Sequence, residues 1–570
     1  MIVFSLRTLR PLRVCAILFL LAGAAHGAAQ PPGYAVASAH PLATKAGMEI
    51  LAGGGNAFDA AVAVAAALAV TEPYHTGIGG GGFWLLHREA DGMEVFVDGR
   101  ETAPGAATRD MFLDKAGKAD PKRSTVGPLA AAIPGQPAAY GHLAKKYGTL
   151  PLAKLLEPAI RIARDGFAVD PKLADAIRTM LNDLSPPARE VLAPGGKPLA
   201  EGAILKQPDL ARTLQLLADK GPDGFYKGEF AHQLVEGVRA TGGIWTEADL
   251  ARYRVIERMP LTTYFRDYRV TTAPPPSAGG VALAEVLQQL EILGWPPRNP
   301  VLEKHEVIEA LRRAFHDRAS YLGDPDFVTI PLAEMVSREH ARALAATISG
   351  TAATPSASLP PPELGPREGN HTTHFCVLDA QGNRVAATLT VNLLFGSGVI
   401  VPGTGMLLND EMDDFSAAPE ASNAFGLIGS KANAVAPYKR PLSSMTPSFV
   451  EGPRGLLIVG TPGGSRIVSM VALGVLRFIQ GLDPRALVAA PRYHHQYLPD
   501  VVEYESGAFS EAEKAELARM GHALKPVAKP YGVMQAIEWD PARGTLEAAA
   551  DPRGVGTGEV QLSRAPLVPR

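Results

Sequence analysis

The chain has 570 residues, of which 46% are hydrophobic and 20% charged, so it can bury a large core and is not a disordered segment. A net charge of −3 leaves no basic excess to hold a phosphate backbone, which argues against a nucleic-acid-binding protein. Of its two cysteines, Cys15 lies in an N-terminal apolar stretch, so Cys376 is left alone and no internal disulfide is expected.

The N-terminus has the pattern of an export signal. Arg7, Arg10 and Arg13 precede an apolar run, Val14–Ala25, that is too short to cross a bilayer as a helix. Small residues suited to cleavage follow this run. We therefore predict a signal peptide over residues 1–27 and an exported protein, periplasmic or secreted, with no stable membrane anchor after signal cleavage.

From about residue 36 to 345 the pattern is mostly helical. Helices are predicted for Ala57–Val70, with Asn56 as N-cap, and for Leu150–Gly166 and Ala282–Leu293. Strands are predicted at Phe83–Leu86 and Val95–Val97. The preceding run Gly77–Gly82 contains a GxGxxG pattern, but a strand follows it where a dinucleotide site needs a helix, so we interpret it as close backbone packing.

The composition of the chain changes at Ser349–His371. This stretch is rich in proline and small residues, which predicts a flexible linker over 349–371. By composition alone it is an ordinary domain linker. Beyond it, the pattern predicts a hairpin of strands Thr373–Leu378 and Val385–Leu393 around a turn at Asp379–Asn383.

The residue that follows the linker has special chemistry if the chain is cut there. A break before Thr372 creates an N-terminal threonine, whose hydroxyl is a nucleophile and whose α-amine is a built-in base. If the hairpin loop centres on Gln381, Thr372 lies opposite Thr390, whose hydroxyl can orient the nucleophile. Asn392 is then expected on the same face of the strand.

Three further motifs suit a charged small molecule. The acidic cluster Asn409–Asp414 can bind an ammonium group, although it lacks the spacing of a calcium loop. Arg100 can hold a carboxylate with two parallel hydrogen bonds, and the Ser443–Ser444 pair can donate to the same group. Glycines in Pro462–Arg466 expose N–H groups to an oxyanion or a phosphate. Taken singly, the acidic cluster is more commonly a solvated loop, Arg100 forms a surface ion pair, and Ser443–Ser444 is an ordinary loop.

Together, these residues resemble the γ-glutamyltranspeptidase family of the N-terminal-nucleophile hydrolases. The similarity runs from about residue 36 to 553 and includes the blocks DGRETAP, TTHF, PGTGMLLNDEMDDFS, KRPLSSM and PGGSR. The resemblance implies an α/β (α+β) fold, a four-layer αββα sandwich formed by large and small chains cut from one precursor. These chains are expected to be residues 28–371 and the catalytic residues 372–570, which together form a heterodimer.

The resemblance also implies roles for individual residues. Thr372 is the self-processing residue and nucleophile, Thr390 assists it, and the backbone N–H groups of Gly463 and Gly464 form an oxyanion hole. The groups that bind the α-carboxylate of a γ-glutamyl substrate are Arg100, Ser443 and Ser444, and those that bind its α-amine are Asn392, Glu411 and Asp414. Phe425 lies in a lid loop where the family commonly has a tyrosine.

The activity implied by the resemblance is that of a γ-glutamyltransferase and glutathione hydrolase. Thr372 takes the γ-glutamyl group from glutathione or another γ-glutamyl compound and passes it to water, an amino acid or a peptide. No cofactor or metal is implied for catalysis. One alternative is an acylase for glutaryl-type β-lactam side chains, which is disfavoured because such substrates lack the α-amine that Glu411 and Asp414 suit. A second alternative is a non-catalytic exported binding protein.

Overall fold

The structure is a computed structural model that describes residues 30–360, 372–416 and 431–563. Two antiparallel sheets dominate it. The first has seven strands, in the spatial order Thr557–Leu562, Gly33–Ser38, Thr372–Leu378, Arg384–Thr390, Gly81–Arg88, Met93–Gly99 and Ile256–Arg258. The second has six, in the order Thr545–Ala550, Gln535–Asp540, Gly455–Gly460, Ser448–Gly452, Tyr268–Thr272 and Leu261–Phe265.

Two minor sheets complete the strands of the described part of the chain. One is formed by Tyr493–His494, Val502–Tyr504 and Leu524–Pro526, and the other by Phe167–Ala168 and Ile204–Leu205.

Helices cover the outer faces of both main sheets. Those before the linker are Pro41–Ala52, Ala57–Thr71, Pro121–Thr125, Gln136–Lys146, Leu152–Asp165, Pro171–Met180, Pro186–Leu192, Pro208–Lys220, Asp223–Tyr226, Gly228–Ala240, Glu247–Arg252, Gly279–Leu293, Pro300–Tyr321, Leu332–Met335 and Arg338–Ala345. Those after it are Arg466–Ile479, Pro484–Ala489 and Glu511–Arg519. No helix among the described residues is long and apolar enough to cross a membrane.

Alternating side chains of the strand Thr372–Leu378 explain the layering. Phe375 and Val377 join the apolar cluster that includes helix Ala57–Thr71, whereas Cys376 and Leu378 join the cluster that includes the second sheet. The first sheet is thus buried on both faces. The predicted four-layer αββα sandwich is confirmed.

Most of the predicted elements are present. Asn56 caps helix Ala57–Thr71 by accepting hydrogen bonds from the backbone of Phe58 and Asp59, and the Asp59 carboxylate accepts from Asn56 N in return. The predicted helices Leu150–Gly166 and Ala282–Leu293 correspond to Leu152–Asp165 and Gly279–Leu293. The two strands predicted near residues 83 and 95 are also present.

Before the linker, the strands that sequence reasoning missed are Gly33–Ser38, Phe167–Ala168, Ile204–Leu205, Ile256–Arg258, Leu261–Phe265 and Tyr268–Thr272. They are short and stand among helices.

The linker differs from its prediction in its first half. Ser356 lies in a 3-10 turn, donates from its backbone N–H to Asp500 (2.7 Å) and from its hydroxyl to the Tyr497 carbonyl (2.7 Å). Residues 349–360 are therefore anchored rather than free, because these polar groups supply contacts that composition does not reveal. Residues 361–371, the signal peptide and Phe425 lie outside the described residues.

Candidate active site

Four neighbouring strands of the first sheet begin or finish at the same end of that sheet. Thr372 pairs with Thr390, Thr390 pairs with Gly81, and Gly82 pairs with Gly99. The residue after Gly99 is Arg100. Adjacent strands lie about 4.8 Å apart, so this register brings Thr372 and Arg100 to the same end of the sheet.

The backbone packs so closely at this end of the sheet that glycine is required. A Cβ atom on Gly80 would lie 2.1 Å from the Thr390 carbonyl oxygen, and one on Gly81 would lie 2.7 Å from the Glu101 carboxylate. The run Gly77–Gly82 leads directly into a strand rather than a helix. The interpretation of this run as a packing motif is confirmed.

The predicted pairing of Thr372 with Thr390 is present in the hairpin. The Thr372 hydroxyl donates to Thr390 Oγ1 at 3.4 Å, a long hydrogen bond, and both residues are buried. Thr390 Oγ1 also accepts from the Asn392 backbone N–H at 2.8 Å. The Thr390 hydroxyl is thus fixed beside the Thr372 hydroxyl by a backbone donor.

Asn392 departs from its predicted position. The strand ends at Thr390, and Asn392 has a φ of 76°, in the left-handed region. The expectation that it shares a strand face with Thr390 is therefore wrong, because the strand alternation stops two residues earlier. Its side chain instead donates from Nδ2 to the Asp410 carbonyl at 3.1 Å, which joins the hairpin to the acidic cluster.

The acidic cluster surrounds Arg100 instead of lying in solvent. Arg100 Nη1 lies 2.5 Å from a Glu411 oxygen and 3.7 Å from a Glu101 oxygen, and Nη2 donates to Asp414. All four side chains are buried. The alternatives of a solvated acidic loop and of a surface ion pair are both wrong, since the sheet edge and the loops before Ser443 exclude water from these groups.

This cluster holds more negative charge than Arg100 neutralises. Burial raises the pKa of Glu101 to about 8 and raises the pKa of Glu411 well above its usual range, although Arg100 opposes both shifts. Burial also raises the pKa of Asp414, again against Arg100, and the pKa of Asp410, which has further carboxylates nearby. The site is therefore suited to a ligand that brings its own positive charge.

The serine pair follows the backbone that positions the guanidinium. Arg100 Nε donates to the Pro441 carbonyl and Nη2 to the Leu442 carbonyl, both at 3.2 Å, and Ser443 and Ser444 come next. Ser443 Oγ accepts from the Met445 backbone at 3.2 Å. Ser444 Oγ is buried and has no hydrogen-bond partner among the described residues, so it is available to a ligand.

The glycine turn lies at the matching end of the second sheet. A Cβ atom on Gly460 would lie 2.3 Å from the ring of His374, two residues from Thr372. Gly463 and Gly464 follow with φ values of 145° and 56°. Gly463 also lines a pocket of about 270 Å³.

That pocket reaches the strand Thr372–Leu378 through Glu72. Glu72 and Leu394 line it beside Gly463, and Glu72 accepts a hydrogen bond from the Thr373 hydroxyl at 2.7 Å. The pocket therefore adjoins both the hairpin and the glycine turn.

Two asparagines that position the site received no role from the sequence. Asn409 donates to the Gly79 carbonyl at 2.7 Å and accepts from the Glu411 backbone at 3.0 Å. Asn433 donates to the Asp414 carbonyl at 2.6 Å and accepts from the Leu442 backbone at 3.1 Å. Asn409 was visible as part of the acidic motif, whereas Asn433 carries no local signal because its partners are distant in sequence.

Comparisons with known proteins agree with this geometry. The γ-glutamyltranspeptidase family model matches residues 43–560. A glutathione hydrolase proenzyme of Escherichia coli (strain K12) is 42% identical over 536 residues, which cover 91% of this chain and 90% of the relative. An acylase ACY 1 proenzyme of Pseudomonas sp. (strain SE83) is 39% identical over 539 residues and 92% of each chain.

A solved structure shares the whole architecture. The cephalosporin acylase from Bacillus halodurans superposes with a TM-score of 0.81 at 30% identity, over 98% of this chain and 99% of that chain. The family model spans most of the chain, and it includes the hairpin, the arginine and the acidic cluster. The chain belongs to the γ-glutamyltranspeptidase family.

Proposed function

We propose that the chain is a self-processing γ-glutamyltransferase and glutathione hydrolase. The observation that carries the proposal is the buried cluster of Glu101, Glu411 and Asp414 around the single guanidinium of Arg100. A γ-glutamyl group carries an α-carboxylate and an α-ammonium on one carbon. The substrate α-carboxylate accepts hydrogen bonds from Arg100 and from the Ser444 hydroxyl. Arg100 then no longer pairs with Glu411 and Asp414, and the substrate α-ammonium neutralises these two carboxylates instead.

Processing is proposed to use the Thr372 hydroxyl twice. The hydroxyl first attacks the carbonyl of the preceding peptide bond, which breaks the C–N bond, frees the α-amine and leaves an ester that water hydrolyses. The chain becomes two pieces, 28–371 and 372–570, that stay together as a heterodimer. The strand order of the first sheet supports this, since strands from both pieces are hydrogen-bonded neighbours within it.

Turnover then proceeds through an acyl-enzyme. Thr372 Oγ attacks the γ-carbonyl while its α-amine takes the proton, and the amine passes that proton to the departing amino group. The N–H groups of Gly463 and Gly464 stabilise the oxyanion. Water or the amino group of an amino acid or peptide then releases the γ-glutamyl group, which gives hydrolysis or transfer. With the predicted signal peptide, this chemistry takes place outside the cytoplasm.

An acylase activity on glutaryl side chains is the second candidate, and the similarity to the two acylases favours it. The two functions differ in the α-amine, so a matched pair of p-nitroanilides, γ-glutamyl and glutaryl, separates them. Loss of a buried charge-assisted contact costs about 1.5–3 kcal/mol, so we expect kcat/KM to favour the γ-glutamyl substrate roughly 10- to 100-fold. Equal or better hydrolysis of the glutaryl anilide would favour the acylase.

A further inference from the structure

Three ionisable side chains meet in the helical layer beside the second sheet. Glu285 lies on helix Gly279–Leu293, Asp317 on helix Pro300–Tyr321 and His340 on helix Arg338–Ala345. One ligand atom from each side chain lies within 4.8 Å of the others. The proposed mechanism does not use any of them.

Among the described residues, no hydrogen-bond donor or cation stabilises a negative charge on Glu285. It is 1% exposed, and neither carboxylate oxygen has a hydrogen-bond partner within the described ranges. Over the same residues, no cationic side chain forms an ion pair with it. A buried carboxylate in this state is strongly unfavourable unless a proton or a cation neutralises it.

The other two side chains are held in place. His340 Nε2 lies 2.6 Å from one Asp317 oxygen, and His316 Nδ1 lies 3.0 Å from the other. His316 Nε2 in turn lies 2.7 Å from the carbonyl oxygen of Pro360. The contact between His340 and Asp317 brings two candidate ligands together, and His316 is an outer partner of the kind that orients ligating groups in protein metal sites.

We propose that Glu285, Asp317 and His340 bind one divalent transition-metal ion, for which Zn²⁺ is the best chemical match. Two carboxylates neutralise the ion, and the imidazole nitrogen favours Zn²⁺ over Ca²⁺ or Mg²⁺, which prefer oxygen. Ligands about 2.0–2.2 Å from zinc lie at most about 4.4 Å apart, so a small rotation of the Glu285 side chain closes the site. Water completes the coordination.

The role of this metal is structural. It ties three helices together beside Pro360, the last described residue before the segment that leads to Thr372. The site therefore braces the described part of the linker, which ends at Pro360, rather than the reacting atoms.

A second histidine cluster provides an internal comparison. His305 and His522 share a 2.8 Å contact next to Glu309. The Glu309 carboxylate is already paired with Arg312 at 3.1 Å and with Arg313 at 2.7 Å. Because those guanidiniums neutralise it, this cluster has no comparable need for a metal ion.

The test is zinc binding to the full, untagged protein after removal of metals. Bound zinc is measured by elemental mass spectrometry after gel filtration, and affinity by competition with a chelator. We expect one zinc per chain, no displacement by excess Ca²⁺ or Mg²⁺, and a rise in Tm. Glu285→Gln and His340→Gln should each weaken binding at least 10-fold and abolish the Tm rise, whereas His522→Gln should not.

Three outcomes would overturn the proposal. Wild-type protein that binds no stoichiometric zinc would mean that Glu285 is a neutral carboxylic acid. Glu285→Gln with unchanged zinc affinity and Tm response would mean that the ion binds elsewhere. Loss of zinc in His522→Gln alone would assign it to the other cluster. Glutamine is isosteric with glutamate, and circular dichroism of the metal-free variants checks that they fold.

Discussion

Replacement of Arg100 by lysine tests how the substrate carboxylate is bound. The guanidinium contacts Glu411 through Nη1 and Asp414 through Nη2, while Nε and Nη2 donate to two backbone carbonyls. The guanidinium is planar, so two of its nitrogens can bind one substrate carboxylate once Glu411 and Asp414 pair with the substrate ammonium. A lysine brings a single charged atom and cannot satisfy these directions at once.

The expected loss follows from this geometry. Arg100→Lys keeps the positive charge but removes one of the two hydrogen bonds to the α-carboxylate. A hydrogen bond to a charged group contributes about 1.5–3 kcal/mol, so kcat/KM should fall roughly 10- to 100-fold. Most of the change should appear in KM, because the α-carboxylate is bound equally in the ground state and in the transition state.

The assay is initial-rate hydrolysis of γ-glutamyl p-nitroanilide, compared with the 4-aminobutanoyl anilide, which lacks the α-carboxylate. The variant should lose activity on the first substrate and little on the second. Arg440→Lys is the matched control, since Arg440 is also buried but pairs with Asp98 at 3.3 Å, outside the acidic cluster. Unchanged KM in Arg100→Lys would refute the reasoning and make Arg100 purely structural.

Two further predictions concern single groups near the site. Ser444→Ala should lower kcat/KM for γ-glutamyl substrates about 10-fold or more without lowering Tm, since Ser444 Oγ has no protein partner in the described part of the chain. Ser443→Ala removes the acceptor of the hydrogen bond from Met445 N, so it should lower Tm as well. A Tm loss confined to Ser444→Ala would contradict this prediction. Burial lowers the pKa of His374 to about 3, while the unfolded chain takes up this proton near pH 6.5. The unfolded state therefore binds more protons between these values, and stability falls as the pH falls from about 6.5 towards 3. His374→Gln should reduce the dependence of Tm on pH in this window, whereas substitution of the exposed His232 by glutamine should not. Equal slopes of Tm against pH in wild type and His374→Gln would contradict the assignment.

Local patterns were sufficient to predict the hairpin that carries Thr372 and Thr390. The alternation of the hairpin and the position of its turn predicted the pairing of Thr372 with Thr390, which is the register found. The cap at Asn56 was equally visible, because a capping box involves only neighbouring residues. In both cases the partners lie close in sequence.

The rest of the site depends on contacts between distant residues. The ion pair between Arg100 and Glu411 joins the end of a strand to a turn more than 300 residues later. The local sequence around either residue therefore could not show that the acidic motif is buried. Asn392 was misplaced because its left-handed backbone ends the strand early. The anchored residues near Ser356 depend on Asp500, which composition could not reveal.

In the proposed function, the Thr372 hydroxyl both cuts the chain and carries the γ-glutamyl group. The most direct test is the intact mass of purified wild type and Thr372→Ala, with Thr373→Ala as control, because the Thr373 hydroxyl bonds to Glu72 instead of Thr390. The account predicts that wild type and the control contain a fragment that begins at residue 372, and that Thr372→Ala remains one inactive chain. A normal cut with normal γ-glutamyl hydrolysis in Thr372→Ala would contradict it.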